Sequence, residues 1–178
     1  MSESWVSEVN GFWFGLKPEQ WWKADPQLDE EVRERFLDLW QEQSGRPVTD
    51  FLGSARQALA AVVLFDQFPR NMHRGHADSF ATDHMALAIA KAAIERSHDE
   101  QLNPAERGIL YMPFQHSEDI EDQRRSVALF TALGGDQVAF AKKHHDVIER
   151  FGRFPHRNAI LGRTPRPDEL AAGDVAPW

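Results

Sequence analysis

The chain has 178 residues, enough for a domain with a sizeable core. Its 28 acidic and 20 basic side chains give a formal net charge of -8, which argues against general nucleic-acid binding by phosphate neutralisation. It has no Cys, which excludes disulfides, thiolate catalysis and Cys-ligated zinc, and its longest apolar run, Ala58 to Phe65, is too short to span a bilayer.

Met1-Ser2-Glu3-Ser4 has no basic stretch followed by an apolar one, so no signal peptide and a cytoplasmic location are expected. The aromatic-rich segment before residue 41, with Phe12-Trp13-Phe14 and Trp21-Trp22, reads as core anchors of the first helices. Asp25-Pro26 supplies an N-cap and a Pro at N1. It opens a helix with Leu28, Val32, Phe36, Leu39 and Trp40 on one face, ended by Gly45. The next helix, Gly53 to Gln67, is apolar nearly all round and should be central. Asp78 caps a helix to about Ser97. Asn103-Pro104 with Glu106 resembles a capping box, and Pro113 is expected to stop that helix. Ser117 opens the next, with Glu118, Asp119, Glu121 and Asp122 in its first turns, where the macrodipole favours anions. Gly134-Gly135 ends it. The last long helix runs from Asp136 to Phe151 with Gly152 as cap, and a short helical tail follows Asn158. No segment reads as a strand. The expectation is an all-α chain of six to eight antiparallel helices, packed as a bundle or solenoid. No linker divides it, so one domain over 1–178 is predicted, with residues 164–178 as a loose tail.

Two segments share an unusual word: Phe68-Pro69-Arg70-Asn71 and Phe154-Pro155-His156-Arg157-Asn158. Each follows an apolar helical pattern, and each has a Gly and an Arg a few residues on, Arg74-Gly75 and Gly162-Arg163. Proline ends a helix, so each word should hang an Arg and an Asn from a fixed corner. Guanidinium forks suit carboxylates and phosphates. The words lie 86 positions apart, so they do not mark a tandem array of short repeats. From Arg150 to Arg166 there are five Arg and one His with no acid, and from Ser117 to Asp122 four acids with no base. These islands either neutralise each other or leave the basic one partly open to an anion.

Periodicity places one polar residue on the apolar stripe of each of four helices. Asp66 follows Leu59 and Val62. Asp83 sits with Phe80, Leu87, Ala90 and Ile94. Gln123 sits with Ile120, Val127 and Phe130. His144 sits with Phe140, Val147, Ile148 and Phe151. His145 and Glu149 fall on the opposite, wet face. A buried carboxylate is costly unless paired, so Asp66 and Asp83 call for arginine partners such as Arg70, Arg74, Arg153 or Arg157. His116-Ser117-Glu118 is a His-x-Glu, but no His-Glu-x-x-His helix exists and no metal site is predicted. There is no Gly-x-Ser-x-Gly elbow, Walker loop or dinucleotide fingerprint, so no cofactor is predicted.

In chain order, Phe12-Trp13-Phe14-Gly15, Asp66-Gln67-Phe68-Pro69-Arg70-Asn71 and Phe80-Ala81-Thr82-Asp83 come first. Tyr111-Met112-Pro113-Phe114-Gln115-His116-Ser117-Glu118-Asp119 and Asp122-Gln123 follow, then His144, Arg150 to Asn158 and Leu161-Gly162-Arg163. This string resembles the uncharacterised "domain of unknown function 924" family, over nearly the whole chain. The resemblance implies a tetratricopeptide-like right-handed superhelix and a bacterial protein, and no activity. Met72 and His73 depart from the pattern, at the rim of the implied site.

The residues support a pocket for a small anionic molecule, with no nucleic acid or membrane as partner and the oligomeric state open. Arg70, Asn71, Arg74, His116, Gln123, Arg153, His156, Arg157, Asn158 and Arg163 are its candidate ligand-binding residues. Asp66, Asp83, Glu118 and His144 are candidates for acid–base or hydrolytic catalysis. Two alternatives stay open: a peptide-binding helical scaffold, and motif residues that only staple the fold.

Overall fold

The computed structural model describes residues 4–177; Met1 to Glu3, read above for a signal peptide, lie outside them. No described residue is in a strand. The helical segments are α1 Ser4–Gly15, α2 Pro18–Trp22, α3 Pro26–Gln43, α4 Ala55–Val62, α5 Phe68–Met72, α6 Asp83–Glu95, α7 Pro104–His116, α8 Ile120–Leu133, α9 Gln137–Phe151 and α10 Pro167–Ala172. Seven of these have eight residues or more, within the expected six to eight. No helix among the described residues is long and apolar enough to cross a membrane. The chain divides into two compact units, 1–110 and 111–178, and the boundary falls inside α7.

In the first unit the Asp25 side chain accepts the Gln27 N–H at 3.0 Å, which starts α3 as its sequence requires. Leu28, Val32 and Phe36 form the buried stripe of α3. Phe36 stacks on Phe68 at 4.4 Å, and the rings of Phe12 and Trp13 meet Phe68 edge-on. The early aromatics thus anchor this core, except Trp22, which is half exposed.

The central helix departs from expectation. Ser54 caps it by accepting the Gln57 N–H, and α4 then passes into a π-helical turn, Val63–Gln67, and on into α5 without ending. Pro69 therefore does not break the helix. The wide turn carries the Phe68 N–H to the Val63 carbonyl, five residues back, and relieves the crowding a proline ring causes. The Phe65 carbonyl, four residues before Pro69, is taken instead by the Thr82 hydroxyl at 2.7 Å. That hydroxyl in turn accepts the Trp40 indole N–H at 3.1 Å. The Asp66 carbonyl accepts Arg70 Nη1 at 2.6 Å.

The stretch expected as one helix from Asp78 is a 3-10 turn, Ala77–Phe80, followed by α6. The buried face of α6 is Met85, Ala86, Ile89, Ala90 and Ala93, about one position from the predicted stripe, so Asp83 is only half-buried. Asn103 and Glu106 exchange hydrogen bonds at 3.0 Å, as the capping box predicts. Pro113 does not stop α7, which continues one turn to His116.

In the second unit α8 is capped by Asp119, not Ser117: its carboxylate accepts the N–H groups of Glu121 and Asp122. The Ser117 hydroxyl donates to Asp122 at 2.8 Å and accepts the Asp119 N–H. The buried residues of α8 are Asp122, Gln123, Ser126 and Phe130. Those of α9 are Ala141, His144, Ile148 and Phe151, while Phe140, expected inside, is exposed. Gly152 closes α9 at φ 67°, its N–H bonded to the Ile148 carbonyl at 2.7 Å. The helix expected after Asn158 begins only at Pro167, as α10.

Candidate functional site

The first Arg-Asn word lies at the end of the α4–α5 segment. Arg70 meets Asp83 through both terminal nitrogens, at 2.8 and 2.9 Å, and its Nη1 lies 3.5 Å from the fully buried Asp66 carboxylate. Asp66 and Asp83 thus share one guanidinium. Asp66 also accepts the Gln67 side-chain amide. Burial disfavours the charge of Arg70, but the two carboxylates outweigh burial and hold its pKa above the ordinary arginine value. Asn71 Nδ2 donates to Asp29 at 2.8 Å, and Arg74 grips the same carboxylate through Nε and Nη2 at 2.6 and 2.8 Å. Asp29, which the sequence does not single out, is the hub that ties α5 to the first turn of α3.

The second word lies after α9, where the 3-10 turn Pro155–Arg157 follows Phe154. Glu118 accepts the Phe154 N–H at 2.7 Å and both terminal nitrogens of Arg163 at 2.8 and 3.0 Å. Burial would raise its pKa; the Arg163 and Phe154 hydrogen bonds outweigh burial and keep it below the usual carboxylate range. Arg163 also donates to the Asn158 side chain and the Phe154 carbonyl, each at 2.9 Å. Glu169, on α10, is the second hub. It accepts Arg153 Nε and Nη2 at 2.6 and 2.8 Å, Asn158 Nδ2 at 2.9 Å and the Arg166 N–H at 2.7 Å. These donors, Arg153 first, hold its pKa down to about 2. Glu169 is buried within the segment expected to be loose, and it carries no motif that would have marked it.

Two histidines and Arg157 gather about the Phe154 ring, and a third histidine, His116, lies beside His144. His144 packs edge-on at 5.6 Å between centroids, His156 lies at 5.5 Å, and the Arg157 guanidinium sits over the ring at 4.5 Å. The His116 ring is 6.4 Å from that of His144. His144 Nδ1 lies 2.8 Å from the Phe140 carbonyl; a carbonyl only accepts, so the proton sits on Nδ1 and the lone pair on Nε2. Burial, aided by the neighbouring His116, Arg157 and His156, pushes the His144 pKa down to about 3. Burial and Arg157 push His156 down to about 4, against the opposing pull of Glu118 and Asp174. Both imidazoles are neutral at pH 7.

The interior of this unit is unusually polar. Prolines aside, eight buried polar side chains stand against eight buried apolar ones among its described residues, a balance a packing core does not need. Gln123 is one of them. Its amide nitrogen donates to the Gln115 and Ser117 carbonyls at 2.8 and 2.6 Å, collecting the open end of α7. Gln123 Oε1, Gln115 Oε1 and Ser126 Oγ are buried and make no hydrogen bond among the described residues. His-x-Glu metal binding finds no support, because Glu118 is committed to Arg163 and Phe154. His145, Asp146 and Glu149 bring ligand atoms within 4.8 Å of one another on the wet face of α9, an arrangement common without an ion.

Residues 9–172 match the model of a family described as a bacterial protein of unknown function (DUF924). The chain is also similar to a solved structure of a protein of unknown function from Agrobacterium tumefaciens. The two are 38% identical with a TM-score of 0.93, covering 99% of this chain and 100% of that one. No curated protein matches.

Proposed function

The chain belongs to the bacterial DUF924 family of unknown function, and from its own residues we propose that the polar centre around Phe154 binds a small anionic molecule and supports acid–base chemistry. The observation that carries this reading is His144: buried, neutral, and fixed in one tautomer with its lone pair on Nε2. Such a nitrogen accepts a proton only weakly at pH 7. A bound anion beside it would stabilise the imidazolium and raise its pKa toward the useful range. Arg157, His116 and His156 would supply the donors that hold the anion.

In this reading Asp66, Asp83 and Glu118 are not catalytic. Each is held by an arginine, and each aims or anchors a helix end. Arg70, Asn71 and Arg74 do the same in the first unit, as do Arg153, Asn158 and Arg163 in the second. These bidentate pairs also favour the alternative, in which every motif residue is structural and the chain serves as a helical scaffold for a peptide.

The experiment is an NMR titration of the His144 ring nitrogens with phosphate, acetate and citrate, in the wild type and in Arg157→Lys. The proposal expects a saturable shift and a raised His144 pKa, both lost in Arg157→Lys at unchanged urea stability. No shift with any anion, together with a stability loss of about 3–5 kcal/mol in Arg157→Lys, would make Arg157 a structural residue and favour the scaffold.

A further inference from the structure

Of the cationic side chains in the second unit, Lys143 and Arg150 are the pair that lines one groove; Arg125 and Lys142 also lack an ion pair or hydrogen bond among the described residues. Arg153 and Arg163 grip carboxylates, and Arg166 Nη1 donates to the Phe151 carbonyl at 2.9 Å. Lys143 and Arg150, on one face of α9, make no ion pair or hydrogen bond among the described residues. Each instead lies against an aromatic face, Lys143 on Phe140 at 5.4 Å and Arg150 on Phe151 at 4.7 Å. Aromatic faces leave the hydrogen-bonding edges of both cations open.

The two cations line a groove of about 300 Å³, a volume at the lower end for small-molecule sites. Val147 and Phe151 supply apolar surface from α9, and Val175 and Pro177 supply it from the segment after α10. That segment is placed by Gly173, at φ 73° and ψ -139°, which a side chain would strain. Seven residues along a helix separate Lys143 from Arg150 by about 10 Å on the axis, within reach of two long side chains converging on one carboxylate. Asp146 also lines the groove. Its charge opposes a polyphosphate or other multiply charged anion and leaves room for a singly charged one.

We propose that the groove between α9 and residues 175–177 binds a small amphipathic monocarboxylate, its anion held by Lys143 and Arg150 and its apolar body on Val147, Phe151, Val175 and Pro177. The site is distinct from the His144 centre and does not depend on it.

The test is an amide-resolved NMR titration of the full chain at low salt with hexanoate and benzoate, and with hexanol as the neutral counterpart. Both acids are expected to shift the amides of Lys143, Val147, Phe151 and Val175 saturably, and hexanol is not. The double variant Lys143→Gln, Arg150→Gln should weaken hexanoate by about tenfold or more, while His144→Gln leaves its affinity unchanged. Failure of both acids to saturate, equal binding of hexanol, or undiminished affinity in the double variant would each overturn the proposal. The His144 reading stands or falls separately, on the imidazole shift.

Discussion

Arg70 and Asp83 form a fork-to-fork pair, Nη1 to Oδ1 at 2.8 Å and Nη2 to Oδ2 at 2.9 Å, while the same Nη1 also donates to the Asp66 carbonyl. One guanidinium thereby joins the first residue of α6 to the π-helical turn before α5. The arrangement spends most of the donors that could otherwise meet a ligand, and it makes this corner a structural joint.

Asp83→Asn keeps the side-chain shape but removes the charge and one acceptor. The cost should be about 2 kcal/mol, the range for hydrogen bonds to a charged group, moderated because both side chains remain about one-fifth exposed. Arg70→Lys should cost a similar amount, since an ammonium cannot reproduce the fork. Urea denaturation measures both. Stability unchanged in either variant would mean that the pair is idle and that Arg70 is available to a ligand.

Gly152 ends α9 at φ 67°, and a Cβ built there meets nothing within 4 Å. Gly152→Ala therefore isolates the backbone cost of a left-handed residue, about 1–2 kcal/mol, with no packing clash added. The urea midpoint should fall accordingly, and the His144 ring signals should hold their positions because the residue keeps the same fold.

The capping signals at Asp25, Asn103–Glu106 and Gly152 were legible because each acts within a few residues of itself. Pro69 misleads because part of its cost is met at a distance. Pro69 is accommodated by a π-helical turn and by Thr82, thirteen positions away. Periodicity finds Asp66, Gln123 and His144 on buried faces and misses the one-position offset of the buried face of α6 that half-exposes Asp83. The hubs Asp29 and Glu169 stayed hidden for one reason. An acid in the first turn of a helix already has a use in the macrodipole, so nothing local reveals arginine partners 45 and 16 residues away.

Glu118 couples the loop after α9 to the start of α8. Glu118→Ala releases the Phe154 N–H and both Arg163 contacts at once. The expected loss is about 2–3 kcal/mol, and the Phe154 amide should show faster hydrogen exchange than its neighbours on α9. Exchange unchanged at Phe154 would contradict a tie through Glu118.

Ser126 presents the reverse case. Its hydroxyl is fully buried on α8 and makes no hydrogen bond among the described residues, so removing it forfeits none. Ser126→Ala should be neutral, or stabilising by up to about 1 kcal/mol through relief of desolvation. A destabilisation beyond about 1 kcal/mol would reveal a polar partner for Ser126, bound in the interior of this unit.

His144 gives the protein a predictable acid sensitivity. Its pKa of about 3 lies below the ordinary 6.5 expected of the unfolded chain. Between these values the unfolded chain binds the proton and the folded one does not, so stability rises with pH through this window. The full contribution is present above about pH 6.5 and is lost as pH falls toward 3. At pH 5 the loss should be on the order of 2 kcal/mol. His156, at about 4, acts in the same direction. Glu118 and Glu169 are also depressed, but they titrate below the ordinary carboxylate value of 4.5, so the decline between pH 7 and 5 belongs to the histidines. His144→Gln should remove about half of that decline in urea midpoints and leave the part due to His156, and in the wild type the ring signals of His144 should stay in their neutral positions down to pH 5. An anion that binds beside His144 would weaken the trend: it would raise the folded pKa, narrow the window and make the protein less acid-labile in its presence. The same pH series with and without phosphate therefore separates a buried histidine that only packs from one that meets a ligand.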